Sequence, residues 1–134
     1  KFSITQSGIY RISYQDIKNA DAIFLQTNPT HWQLFWRGKE IAIRIVGQEN
    51  GIFEDTDDLE FYGEGNDGSQ DSLLYRPQKR LHPNQTLFSD VAAYFLTIHP
   101  SSAGKRILEL NTSAQGLIPE KFHLEETVQA FIKE

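Results

Sequence analysis

The chain has 134 residues, of which 13 are basic and 18 acidic, for a formal charge of −5. That length suits one ordinary domain, 1–134, and the acidic balance argues against nucleic acid, whose phosphates call for a basic surface. Cysteine is absent, which excludes thiol nucleophiles, zinc–thiolate sites, iron–sulfur clusters and disulfide scaffolds. Methionine is absent too, and the chain opens directly on Lys1-Phe2-Ser3-Ile4, so we read it as a processed or excised piece of something longer. No apolar run approaches the roughly 20 residues of a membrane-spanning helix, and aromatics at 12% favour β-structure over a helix bundle.

Two short alternating runs, Lys1 to Thr5 and Ile9 to Ser13, flank the turn residues Gln6-Ser7-Gly8 and predict a β-hairpin. Ser13 then stands as a helix cap with Asp16 in the first turn, and Tyr14, Ile17 and Lys18 keep helical spacing to about Ala22. After the break at Asn28-Pro29-Thr30, residues 32–37 alternate with Trp32, Leu34 and Trp36 on one face. Gly38-Lys39 turns the chain into a second strand over 40–46, with Ile41, Ile43 and Ile45 on one side, which predicts a second hairpin. A polar, acidic stretch leads to a strand over 59–62, closed by Gly63-Glu64-Gly65, where the glycines are expected to supply a positive-φ turn.

Residues 66–84 are the longest irregular stretch, with an edge strand expected at 73–76 and prolines at 77 and 83. Loops of this length inside a domain are usually functional or mobile. Residues 91–99 form an apolar strand that reads as buried on both faces, and 106–110 a weaker one. From Glu120 onward the pattern fits two structures. Phe122, Leu124, Val128, Ala130 and Ile132 alternate as in a strand, while Leu124, Val128, Phe131 and Ile132 share a helical face. Periodicity does not decide between them. The sum is mainly β: an antiparallel β-sandwich-like domain with one short helix near the N-terminus. Trp32, Trp36, Phe61, Tyr62, Tyr94 and Leu96 are the expected core.

Catalytic patterns are missing: there is no G-x-S-x-G, H-E-x-x-H or P-loop, and His31, His82, His99 and His123 are scattered. Asp55, Asp57 and Asp58 offer the hard oxygen ligands calcium prefers, but without EF-hand spacing; the competing reading is an acidic turn whose carboxylate caps an amide. Trp32 and Trp36, two pleats apart on one strand face, could stack on sugar rings if exposed, and Tyr75 lies near the loops; the plainer reading of the tryptophans is core. With Asp67 and Asp71 in the long loop, these are the candidates for contact with a protein or carbohydrate partner, and the whole 66–85 stretch is the candidate contact loop.

Several blocks, taken together, resemble one family. Ser7-Gly8-Ile9-Tyr10-Arg11-Ile12-Ser13-Tyr14-Gln15-Asp16-Ile17 is similar to the opening of the N-terminal domain of gingipain-type, caspase-like cysteine peptidases. Asp57-Asp58-Leu59-Glu60-Phe61-Tyr62-Gly63-Glu64-Gly65 resembles that domain's D-x-apolar-x-F-Y-G-x-G stretch, and Asn84 through Phe88-Ser89-Asp90 to Tyr94-Phe95-Leu96-Thr97 resembles its NPYSD…YFLT. Order and rough spacing agree over residues 1 to 100, and the sortase-like members of the type IX secretion system of Bacteroidetes are the nearest kin by this measure. The resemblance implies a secreted, periplasmic or surface-exposed parent with a catalytic domain downstream. It carries no catalytic residue here, because the chain has no cysteine and none of its histidines stands in the family's motif. The segment after Gly63 and the stretch 79–82 also depart from the pattern. The expected role is a non-catalytic module that packs on or assists that downstream domain; the alternative is a carbohydrate-binding or cell-adhesion module.

Overall fold

A computed structural model describes residues 1–75, 86, 88–110, 116, 118 and 122. Within them the order is β1 (Phe2–Ile4), β2 (Gly8–Ser13), helix α1 (Tyr14–Ala20), β3 (Trp32–Trp36), β4 (Lys39–Ile41), β5 (Ile43–Val46), β6 (Asp58–Gly63) and β7 (Ala92–Ile98). Short 3₁₀ turns fill Ala22–Gln26, Pro29–His31, Gln48–Asn50 and Ser69–Tyr75. The strands make two antiparallel sheets, β1-β7-β3-β4 and β2-β6-β5, so the chain is mainly β and sandwich-like, as its alternation predicts.

The start of α1 follows the expected chemistry. Ser13 Oγ accepts from the Asp16 amide, and the Asp16 carboxylate accepts in return from the Ser13 amide at 3.1 Å, closing a capping box. The Ser13 hydroxyl, donating to the Asp16 carboxylate at 2.7 Å, and then the Ser13 amide favour the ionised acid and hold the Asp16 carboxyl below its ordinary range. The helix ends at Ala20, two residues early, because Asp21 is extended and starts the next turn by capping the Ile23 amide.

One core lies between the sheets. Ile4, Trp32, Leu34, Ala92 and Tyr94 of the first face Ile43, Ile45, Leu59 and Phe61 of the second, with Ile17 and Phe53 closing one end. Each large apolar side chain buried there contributes about 1.5–3 kcal/mol. Trp32 is fully buried, its ring edge-on to Phe24 and 4.8 Å from Phe53, its indole N–H donating to Thr27 Oγ1.

Pairing departs from the sequence reading in several places. β1 and β2 are not a hairpin: β1 pairs with β7 (Phe2 opposite Tyr94) and β2 with β6 (Ile9 opposite Tyr62). The expected strand over 40–46 breaks at Ala42, and its halves join different sheets, which makes a sandwich corner. β7 is buried on one face only, since Phe95 is 54% exposed opposite Phe35. Tyr62 lies outside the core, on the outer face beside Ile9, while Trp36 and Leu96 pack against the core half-buried. Residues 73–75 belong to a 3₁₀ turn instead of an edge strand. The 106–110 strand shrinks to one parallel bridge, Ile43 with Arg106. The expectations for Arg76, Pro77, 79–82, Pro83 and almost all of 120–134 lie outside the described residues.

The hairpin from β3 to β4 turns on Arg37-Gly38, with φ +50° and +74°, the two positive angles of a type I′ turn. Gly63 and Gly65 do not take positive φ. They are small because of close approach: a Cβ on Gly63 would fall 2.4 Å from Ile4 Cδ1, and one on Gly65 2.9 Å from the Thr5 carbonyl oxygen. Gly47 combines both constraints, with φ +90° and a Cβ position 1.9 Å from Asp57 Oδ1. Gly38 has open space around it. Gly38→Ala should therefore cost only the backbone strain, about 1 kcal/mol, and Gly47→Ala clearly more, about 2–4 kcal/mol; urea midpoints of the two variants measure the difference.

Candidate functional site

A polar cluster that ties the β3–β4 hairpin to the long loop gathers on Arg37. Its place in the type I′ turn projects the side chain back over β3, where the guanidinium lies 4.3 Å from the centre of the Trp36 ring. The other partner of Trp36 is Tyr94, stacked at 5.5 Å and 6°. From this position Arg37 Nη1 donates to Ser69 Oγ at 2.9 Å, and Nη2 donates to Asn66 Oδ1 at 3.0 Å and Asp67 Oδ1 at 3.2 Å. Asn66 passes the tie onward, its Nδ2 donating to the Ser89 carbonyl at 2.6 Å. One guanidinium thus pins the start of the long loop and the approach to β7 against the hairpin.

Asp67 is held strongly ionised, its carboxyl pulled down to about 2. The Ser69 backbone amide, donating at 3.0 Å, is the largest cause; the Ser69 hydroxyl and Arg37 add to it, and partial burial opposes them. Tyr94 moves the other way: burial raises its phenol, which stays neutral and bridges Glu64, accepting from the amide at 2.7 Å and donating to the carbonyl at 3.1 Å. Beside the cluster lies a hollow of about 260 Å³ whose walls include Trp36, Gln70, Val91 and Phe95.

The sequence candidates divide. Trp36 and Asp67 come together on Arg37. Asp71 lies further along the same loop, accepting from the Thr86 hydroxyl, and Tyr75 ends that 3₁₀ turn half-buried. Trp32 is at the core instead of the surface, and Trp36 is flanked by an aromatic ring and a guanidinium, so the pair forms no exposed sugar platform. The three acids weighed for calcium also separate. Asp57 is buried and caps the Glu54 amide at 2.8 Å, Asp58 pairs with Arg11 at 3.7 Å, and Asp55 is exposed. Among the described residues no group of three or more His, Asp or Glu side chains could hold a metal ion. His99 Nδ1 accepts from the Ser101 and Ser102 amides, so that ring caps the end of β7; His82 and His123 lie outside the described residues.

Arg37 itself escaped the sequence reading. The hairpin glycine beside it was the available signal, but nothing in the local pattern shows that its side chain would meet a loop some thirty positions away.

A second arginine, Arg106, is half-buried and, among the described residues, donates to neutral oxygens: Gln48 Oε1 and the carbonyls of Pro29, Thr30, Trp32 and Lys105. Burial lowers its pKa. On the outer face of the second sheet, Glu60 is shared by Arg11 (2.6 Å) and Arg44 (3.0 Å), which together hold its carboxyl low. No family model, curated protein or solved structure matches the chain. Among the described residues no helix is long and apolar enough to cross a membrane.

Because the Asp67 carboxyl is depressed from 3.8 to about 2 in the fold, its contribution to stability is complete above about pH 4 and is lost as the pH falls towards 2. Half of the side chain is exposed, so solvent screening keeps the effect small. Asp67→Asn should lose less stability than the parent between pH 5 and pH 2.5, as read by urea midpoints at the two values. Tyr94→Phe removes both bonds to Glu64 and should cost about 1–2 kcal/mol at neutral pH in the same measurement.

Proposed function

We propose that this chain is the non-catalytic N-terminal module of a gingipain-type or sortase-like peptidase, secreted or held at the bacterial cell surface, and that it works by packing on and assisting a downstream domain of the same polypeptide. The observation that supports this reading is how the three family-like blocks interlock. The first block supplies β2 and α1, the second β6, and the third β7. The first two are hydrogen-bonded neighbours from Gly8 opposite Gly63 to Ser13 opposite Asp58. The third reaches the second through Tyr94, whose hydroxyl grips Glu64 and whose ring lies 5.2 Å from Phe61.

The shared residues are thus scaffold residues, which suits a structural module whose chemistry resides elsewhere. Leu108 and Leu110 remain about four-fifths exposed where the chain leaves the sheets, and apolar side chains of this kind are what a covering domain would bury.

Sequencing the gene past the codon for Glu134 tests the reading. A caspase-like domain carrying a His-Gly pair and a nucleophilic cysteine is the expected result, and a stop codon soon after Glu134 overturns it. With that domain produced as a separate chain, Leu108→Asp with Leu110→Asp should weaken association at least about tenfold by calorimetry.

A further inference from the structure

Asn50 closes the 3₁₀ turn Gln48–Asn50, which carries the chain from β5 towards the buried ring of Phe53. The next residue is Gly51, so no side chain shields the main-chain nitrogen that follows Asn50. Asn50 is exposed, and its side-chain amide is held at both ends. Nδ2 donates to Glu54 Oε2 at 3.0 Å, and Oδ1 accepts from the Ile52 amide at 2.9 Å. The second bond polarises the amide carbon and supports the oxyanion that forms when a nucleophile adds there. The nucleophile at hand is the Gly51 nitrogen. Its N–H donates to the Gln48 carbonyl at 3.0 Å, so the turn has to open before the nitrogen can attack. Opening is local, because the turn spans three residues and has a left-handed glycine at each end, Gly47 and Gly51.

The chain's other pair of this kind, Asp67-Gly68, is disarmed by the fold. Asp67 carries a carboxylate, a far weaker electrophile than an amide, and the Ser69 amide and Arg37 keep it ionised. Gly68 is buried, and its N–H donates to Asn66 Oδ1 at 3.2 Å. Asn28 precedes Pro29, whose nitrogen has no proton to give up, and Asn19 is fixed within α1.

We propose that Asn50 is a self-modification site, where the Gly51 nitrogen displaces ammonia and closes a five-membered imide that water then opens to isoaspartate or aspartate. Water is the co-reactant. Gly51 gives its amide proton to hydroxide, the new N–Cγ bond replaces the Cγ–Nδ2 bond, and Nδ2 leaves as ammonia with a proton from water. Hydrolysis of either imide C–N bond releases a carboxylic acid, which ionises. A neutral side chain becomes an anion, so the formal charge moves one unit beyond −5. The new carboxylate faces Glu54, which loses the donor it held. Isoaspartate also adds a methylene to the main chain shortly before Phe53, whose ring packs on Trp32 and Tyr14. Reaction at Asn50 thus loosens the end of the core that Phe53 closes. The site is independent of the module role proposed above, because it uses only groups within this chain and is tested on the chain alone.

The test incubates the full chain at mildly alkaline pH, folded and in concentrated urea, and maps the products by mass and by isoaspartate-specific methylation. In the folded chain Asn50 should gain about 1 Da before any other asparagine, mainly as isoaspartate, at a rate within about tenfold of that in urea. Isomerisation at Asp67 should instead be at least about tenfold faster in urea than in the fold. Asn50→Asp should lower the urea midpoint at neutral pH, and Glu54→Gln in that background should restore most of the loss. Another asparagine reacting first in the folded chain, a folded rate at Asn50 below that tenfold window, an Asp67 rate indifferent to urea, or an unrestored midpoint would each overturn the proposal.

Discussion

The sandwich is organised around one buried phenol. Tyr94 sits on β7, between β1 and β3, so its backbone belongs to the first sheet while its ring lies against Phe61 of the second. Its hydroxyl needs partners in an apolar setting, since an unbonded buried hydroxyl costs about 1–3 kcal/mol. It finds both on a single residue, the Glu64 main chain just past β6. That bond fixes where β6 ends and where the long loop begins. The same ring supports Trp36, which in turn supports Arg37, and Arg37 collects the loop. Core packing and loop geometry are therefore successive layers on one side chain.

The three key arginines solve different electrostatic problems. Arg44 and Glu60 form, with Arg11, a surface row typical of an exposed sheet face, and such pairs are individually worth little. Arg37 has its charge shared between a carboxylate and an aromatic face. Arg106 hydrogen-bonds no carboxylate among the described residues, and relies on carbonyl dipoles from the segment that leads into β3. Its flat five-donor head makes this possible; a lysine at the same place would satisfy fewer of those oxygens. Gly104 belongs to the same joint, because a Cβ there would fall 2.0 Å from the Trp32 carbonyl oxygen.

How much of this was legible in the sequence depended on range. The Ser13–Asp16 capping box, the Trp32-Leu34 inward face and the strand ending at Gly63 rest on neighbours within a few positions, and alternation or cap chemistry reveals them. Alternation identifies a face but not a partner. Lys1 to Thr5 and Ile9 to Ser13 therefore read as a hairpin, although each strand pairs with a distant one. Ala42 is equally silent: Ile41, Ile43 and Ile45 keep period two across it while the chain changes sheets. Tyr62 and Phe95 were misjudged because an aromatic residue in a strand can serve either face. At the candidate site, Trp36 and Asp67 were visible as residue types, but Arg37, which joins them, becomes apparent only once the hairpin is folded over the loop.

The pairing of β1 with β7 bears on the order of assembly. Phe2 lies opposite Tyr94, so β1 waits for β7, some ninety positions later in the chain. β2 and β6 impose a similar, shorter delay. Contacts this remote in sequence fold slowly, because loop closure comes before any pairing energy is gained. A chain emerging end-first from a ribosome or a translocation pore holds Phe2 and Ile4 without their strand partner until β7 has followed. Such a nascent chain is an unpaired strand edge throughout its passage, open to capture by chaperones and to mispairing with its neighbours.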